Sequence, residues 1–103
     1  MINRGTITSL TNGNFVGGKN YGIYNYGTID LLNVNVKSTA SSSMGAIYNN
    51  GHIGEISGGR YLGHSDSPYA NSITGSCGLY NTGSGVVDLI SGGYFQGSSV
   101  AFR

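Results

Sequence analysis

Single Ile, Leu, Val and Phe residues alternate with polar ones along most of the chain, and Gly interrupts the pattern every few positions. A period of two marks strands with one buried face, and glycine interruptions mark turns. No apolar spacing of 3.6 residues, which a helix would require, occurs. The pattern therefore predicts short strands joined by tight bends, and it repeats. Ile23-Tyr24-Asn25-Tyr26-Gly27-Thr28-Ile29 returns as Ile47-Tyr48-Asn49-Asn50-Gly51-His52-Ile53, then as Leu79-Tyr80-Asn81-Thr82-Gly83 with Val86 or Val87 completing it. Met1 to Ile7 is a degenerate first copy. A second block follows each first one: Ile56-Ser57-Gly58-Gly59-Arg60-Tyr61-Leu62-Gly63 matches Ile90-Ser91-Gly92-Gly93-Tyr94-Phe95-Gln96-Gly97, and Leu10 to Gly17 fits the same frame. Leu32 to Ser38 is a shortened version without the Gly pair. Measured on the shared Asn, the steps are 22, 24 and 32 residues.

Repeats of this length bury their apolar positions only by stacking on one another. A leucine-rich repeat would need several Leu per unit and a returning helical segment, and neither is present. The prediction is an all-β chain forming one domain over residues 1–103, a parallel β-helix (β-solenoid) with one long corner loop. About four coils of roughly 22–24 residues are expected, near 1–22, 23–46, 47–78 and 79–101. Like strands would pair about 4.8 Å apart. Met1, Ile23, Ile47, Leu79 and Phe102 form one inward row. Ile7, Ile29, Ile53 and Val86 or Val87 form a second, and Leu10, Leu32, Ile56 and Ile90 a third. Phe15, Tyr61 and Phe95, with Val36 in place of an aromatic, form a fourth. Asn3, Asn25, Asn49 and Asn81 sit two residues after the first row, so alternation turns them inward at a corner. There, stacked amides can hydrogen-bond along the axis. Gly5, Gly27, Gly51 and Gly83 are expected to give that bend its backbone freedom.

The units Ile-Tyr-Asn-x-Gly-x-Ile and Ile-Ser-Gly-Gly-x-Tyr/Phe-x-Gly resemble the short repeats of bacterial cell-surface proteins and autotransporter-like adhesins. The resemblance spans essentially the whole chain. It implies a right-handed parallel β-helix and an extracellular or cell-surface setting.

Composition narrows the function classes. Gly fills 19 of 103 positions, only 9% of residues are charged, and the net charge is +1. Eleven aromatic residues' worth of burial, eight Tyr and three Phe, argues for folding over disorder. Arg4, Lys19, Lys37, Arg60 and Arg103 do not cluster, so no basic stripe exists for nucleic acid. No apolar run reaches the roughly 18 residues of a membrane span, and Met1 to Gly5 lacks a signal-peptide core; a soluble chain without membrane insertion is expected. Asp30 and Asp88 share a column with Glu55 beside it, but two acids two coils apart with no orienting cation make a poor catalytic pair. No catalytic residue, metal site or cofactor is assigned: His52, His64 and Asp66 lack the spacing of a metal site. Cys77, in an apolar stretch, reads as a buried thiol. Thr6 and Thr28 alone align, too few for an ice-binding row.

Two features point outward. Ile2, Tyr24, Tyr48 and Tyr80 form an outer row, read first as an aromatic ladder, then as a lateral packing surface, then as a platform for glycans. Length differences between repeats fall at one corner, where the longest insertion, His64 to Gly78, holds Asp66, Pro68 and Tyr69. That loop is either a partner-contact surface or a neutral length variation. No cap covers either terminal coil, which leaves Met1, Ile7, Ile90, Phe95 and Phe102 as an axial stacking interface. The expected function is a structural subunit that polymerises head to tail into an extracellular fibre. The alternatives are a shaft or adhesive segment of a larger surface adhesin or phage tail-spike, and a β-helix polysaccharide enzyme, which needs a carboxylate groove.

Overall fold

The computed structural model describes residues 1–17, 21–38, 45–63 and 77–96. Regular structure among them is entirely β, in ten strands: β1 (Ile2–Asn3), β2 (Thr6–Ile7), β3 (Leu10–Gly17), β4 (Ile23–Asn25), β5 (Thr28–Ser38), β6 (Gly45–Asn49), β7 (His52–Leu62), β8 (Cys77–Asn81), β9 (Val86–Ile90) and β10 (Tyr94–Gln96). Every pairing is parallel. Sheet A has the order β1-β4-β6-β8. In sheet B the long strands β5 and β7 lie side by side, with β2 and β3 along the free edge of β5 and β9 and β10 along that of β7. Each repeat thus contributes one strand to sheet A and then crosses at its Asn-x-Gly bend to sheet B. β6 and β8 begin at Gly45 and Cys77, two residues ahead of their first-row apolar residues, so Cys77 and Gly78 belong to a strand and not to the loop.

Register places equivalent repeat positions side by side. Ile23, Ile47 and Leu79 align in sheet A, and Leu10, Leu32, Ile56 and Ile90 in sheet B. The second row runs Ile7, Ile29, Ile53, Val87; Val86 stands instead opposite His52. Phe15, Val36, Tyr61 and Phe95 share a column. Between Ile29 and Leu32 two successive residues, Asp30 and Leu31, stay out of the core, so the strand turns a corner there before the alternation Leu32, Val34, Val36 resumes.

The core lies between the sheets. Ile23, Ile29, Leu32, Ile47, Ile53, Ile56 and Tyr61 are fully buried, each such aliphatic side chain contributing about 1.5–3 kcal/mol relative to exposure. Tyr61 stacks on Phe95 at 4.9 Å. Its hydroxyl donates to the Gly58 carbonyl at 2.7 Å and accepts from the Val34 N–H at 3.3 Å. Gly59 (φ +99°) is required beneath it, because a Cβ there would strike the Val34 carbonyl and the Tyr61 hydroxyl.

The bend glycines serve a different purpose from the one expected. Gly27 and Gly51 do not take up left-handed φ values; Gly45, Gly59 and Gly93 do. A Cβ at Gly27 would instead collide with the Gly5 carbonyl, and one at Gly51 with the Gly27 carbonyl. Glycine is needed at these bends because successive backbones pack directly on one another. In the last repeat Gly85, not Gly83, takes this place: Val86 stands opposite His52, and a Cβ at Gly85 would strike the Asn49 carbonyl, whereas Gly83 has nothing within 4 Å and lies outside the stacked column.

Candidate functional site

The most ordered polar feature is the asparagine column. Strand alternation turns Asn25 and Asn49 inward, where both are fully buried, and Asn3 is 7% exposed. Asn3 Nδ2 donates to Asn25 Oδ1 at 2.9 Å, Asn25 Nδ2 to Asn49 Oδ1 at 2.9 Å, and Asn49 Nδ2 to Asn81 Oδ1 at 2.8 Å. Each amide also reaches the carbonyl that opens the next repeat's sheet-B segment: Thr28, His52 and Val86, all at 3.2 Å. The side-chain oxygens of Asn3 and Asn49 accept the N–H of Gly5 and Gly51 two residues on. The column therefore satisfies bend groups and links repeats at once, with every amide-to-amide bond donated toward the C-terminal repeat.

Outside sheet A, Tyr24, Tyr48 and Tyr80 follow one another with ring centroids 5.5 Å apart. They are half-buried, and two tyrosines outside the row join them. Tyr21 packs against all three at 5.4, 5.3 and 6.4 Å. Tyr26 touches Tyr24 and Tyr48 and lies under the Arg4 guanidinium at 4.9 Å. Within the row the rings meet tilted and edge-on, whereas Tyr24 and Tyr26 are nearly parallel, at an interplanar angle of 7°. Sequence reasoning missed Tyr21 and Tyr26 because their columns hold no other aromatic: Gly45 and Cys77 accompany Tyr21, and Arg4, Asn50 and Thr82 accompany Tyr26.

Tyr21 is 6% exposed and its hydroxyl has no hydrogen-bond partner among the described residues. Burial pushes the Tyr21, Tyr24 and Tyr61 phenols above their ordinary value of 10.0. Below pH about 10 these groups are neutral whether the chain is folded or not. Above it the unfolded phenols ionise first, so stability is lost as pH rises toward the folded values. Tyr21→Phe removes an unsatisfied hydroxyl and is expected to stabilise the chain at pH 7 by about 1 kcal/mol, with a larger advantage above pH 10. Thermal melts of both proteins at the two pH values check this; a variant less stable than the parent at pH 7 would mean that the hydroxyl makes a stabilising contact.

The charged candidates are engaged locally. Asp88 Oδ2 lies 2.6 Å from His52 Nε2, with both side chains about half exposed. Ser91 Oγ donates to Glu55 Oε2 at 2.5 Å. Asp30 and Asp88 stand on either side of Gly54 in one column, on the open outer surface of sheet B. Among the described residues no three His, Cys, Asp or Glu side chains come close enough to share a metal ion. Cys77 is fully buried. A shallow groove of about 360 Å³ crosses the other half of that surface, lined by Asn14, Val16, Asn35, Lys37, Arg60 and Leu62 with Phe15 and Val36 behind them.

At the ends of the stacked strands, apolar side chains reach the surface. Ile90 is 42% exposed and Met1 38%, while Ile7 and Phe95 are partly buried against the core. Phe102 and the loop residues His64, Asp66, Pro68 and Tyr69 lie outside the described residues. No protein-family model matches the chain, and no curated protein or solved structure is significantly similar to it.

Proposed function

We propose that the chain is a β-solenoid whose repeats are successive coils, and that it serves as a structural subunit of an extracellular fibre, copies adding head to tail. The observation that carries this reading is the one-way asparagine ladder. At its N-terminal end the only donor to Asn3 Oδ1 is the Gly5 N–H, and at its C-terminal end Asn81 Nδ2 donates only to the Gly85 carbonyl at 3.1 Å, among the described residues. A further copy stacked C-terminus to N-terminus sets donor against acceptor; stacked head to head, like groups would meet. The same ends expose strand edges and the row residue Ile90, surfaces that further coils would bury. The extracellular setting follows from the resemblance of the repeats to those of surface adhesins.

The ladder supports equally a shaft or adhesive segment of a longer surface protein or tail-spike, in which the chain's own further repeats cover the ends. The two readings part on self-assembly of the isolated chain. Ile90→Asp places at the joint a charge that stacking would desolvate without a partner. It is expected to keep the β-sheet circular dichroism signal and abolish the filaments that the parent forms in negative-stain images. A variant with normal filaments would place the joint elsewhere.

A further inference from the structure

We infer that the outer surface of sheet B carries two charge-complementary strips through which copies of the chain pair side by side, an inference that rests on the fibre reading because stacking multiplies the contact. β5 and β7 each carry one acid early and one base late: Asp30 and Lys37 on β5, Glu55 and Arg60 on β7. The acids precede or flank the corner before Leu32 and Ile56; the bases lie beyond it. The strips therefore face in different directions, and among the described residues none of the four charges has an ion-pair partner within the same copy.

The strips share their spacing along the stack. Within each, the two charges stand on neighbouring strands, about 4.8 Å apart along the stack. Register sets Glu55 opposite Leu31, one position past Asp30, and Arg60 opposite Asn35, two positions before Lys37. Left and right exchange when two surfaces face each other, so these opposite diagonals slant the same way; they differ by one residue, about 3.4 Å, a gap within the reach of the long Lys37 and Arg60 side chains, so a single docking brings both cations onto carboxylates. Each strip is flanked by an exposed apolar side chain, Leu89 (52%) by the acids and Val16 (65%) by the bases. The contact uses different surfaces on the two partners, so it propagates sideways from copy to copy. One exposed ion pair contributes little, but the same pairs recur along a stack of copies and act together.

Two charge-reversal variants of the full chain test this: Lys37→Glu with Arg60→Glu, and Asp30→Lys with Glu55→Lys. At low ionic strength the parent is expected to form bundles that disperse into single filaments in about 0.5 M NaCl, where screening acts over a few ångströms. Each variant alone should give single filaments, and an equal mixture of the two should bundle again, because reversed strips then face each other. Circular dichroism confirms that both variants fold. Single parent filaments at low salt, or variants that bundle like the parent, would overturn the pairing. If the parent forms no filaments, sedimentation velocity separates the two readings. Salt-sensitive oligomers, lost in each variant and regained in the mixture, would leave the side contact standing and remove the end-to-end one; a monomer throughout would overturn both.

Discussion

Asn49→Ala is expected to destabilise the chain by about 3 kcal/mol or more, on the order of a 15 °C drop in thermal midpoint. Asn49 is fully buried and sits in the middle of the column. Its loss removes the acceptor of the Asn25 amide and the donor to Asn81. It also strips the Gly51 N–H and the Val86 carbonyl of side-chain partners. Each buried group left without a partner costs about 1–3 kcal/mol. Asn50→Ala, one residue on, loses a single half-buried bond from Thr82 Oγ1, and should cost less than about 1 kcal/mol. Denaturant titration of the two variants checks the contrast, and equal losses would contradict the role given to the column.

Gly51→Ala should be comparably severe, at about 3 kcal/mol or more, although it adds only a methyl group. The new Cβ would overlap the Gly27 carbonyl and lie 2.8 and 2.9 Å from the Tyr26 carbonyl carbon and the Gly27 nitrogen. These are backbone atoms, and they cannot swing aside as a flexible side chain would. Relief requires the two bends to separate, which stretches the 2.8 Å bonds from Asn50 N–H to the Asn25 carbonyl and from His52 N–H to the Gly27 carbonyl. Gly83→Ala is the matching control. It follows Asn81 as Gly51 follows Asn49 but lies outside the stacked column, with open space around it, and its loss of unfolded-state freedom should leave stability unchanged or raised by up to about 1 kcal/mol. A thermal melt in which both substitutions behave alike would mean that the glycine column is not set by close stacking.

The parts of the structure legible in the sequence are those that repeat. Ile23, Ile47 and Leu79 identify a shared inward position because each is followed by Tyr and then Asn, and register puts them side by side. What the repeat hides is anything unique to one copy. Tyr21 covers three tyrosines from a column otherwise filled by Gly and Cys, so no periodicity announces it. The two residues added between Asn81 and Val86 left the second row undecided, since Val86 and Val87 are both apolar; only pairing shows that Val87 faces Ile53 and that His52 meets Val86 rather than a Thr or Ser. The glycines at the bend were visible as a column, but a sequence does not distinguish a residue needed for its φ from one needed for its missing Cβ. The contact between His52 and Asp88 links two repeats through a histidine whose column holds Thr28 and Val86 in the neighbouring copies.

The claim that the repeats are coils of one stack, continuing from copy to copy, is tested most directly by diffraction from aligned filaments of the isolated chain. Strands perpendicular to the fibre axis and paired in parallel between coils and across each joint predict a strong meridional reflection at about 4.8 Å. Filaments whose 4.8 Å reflection lies on the equator, or a chain that stays monomeric at high concentration, would contradict it.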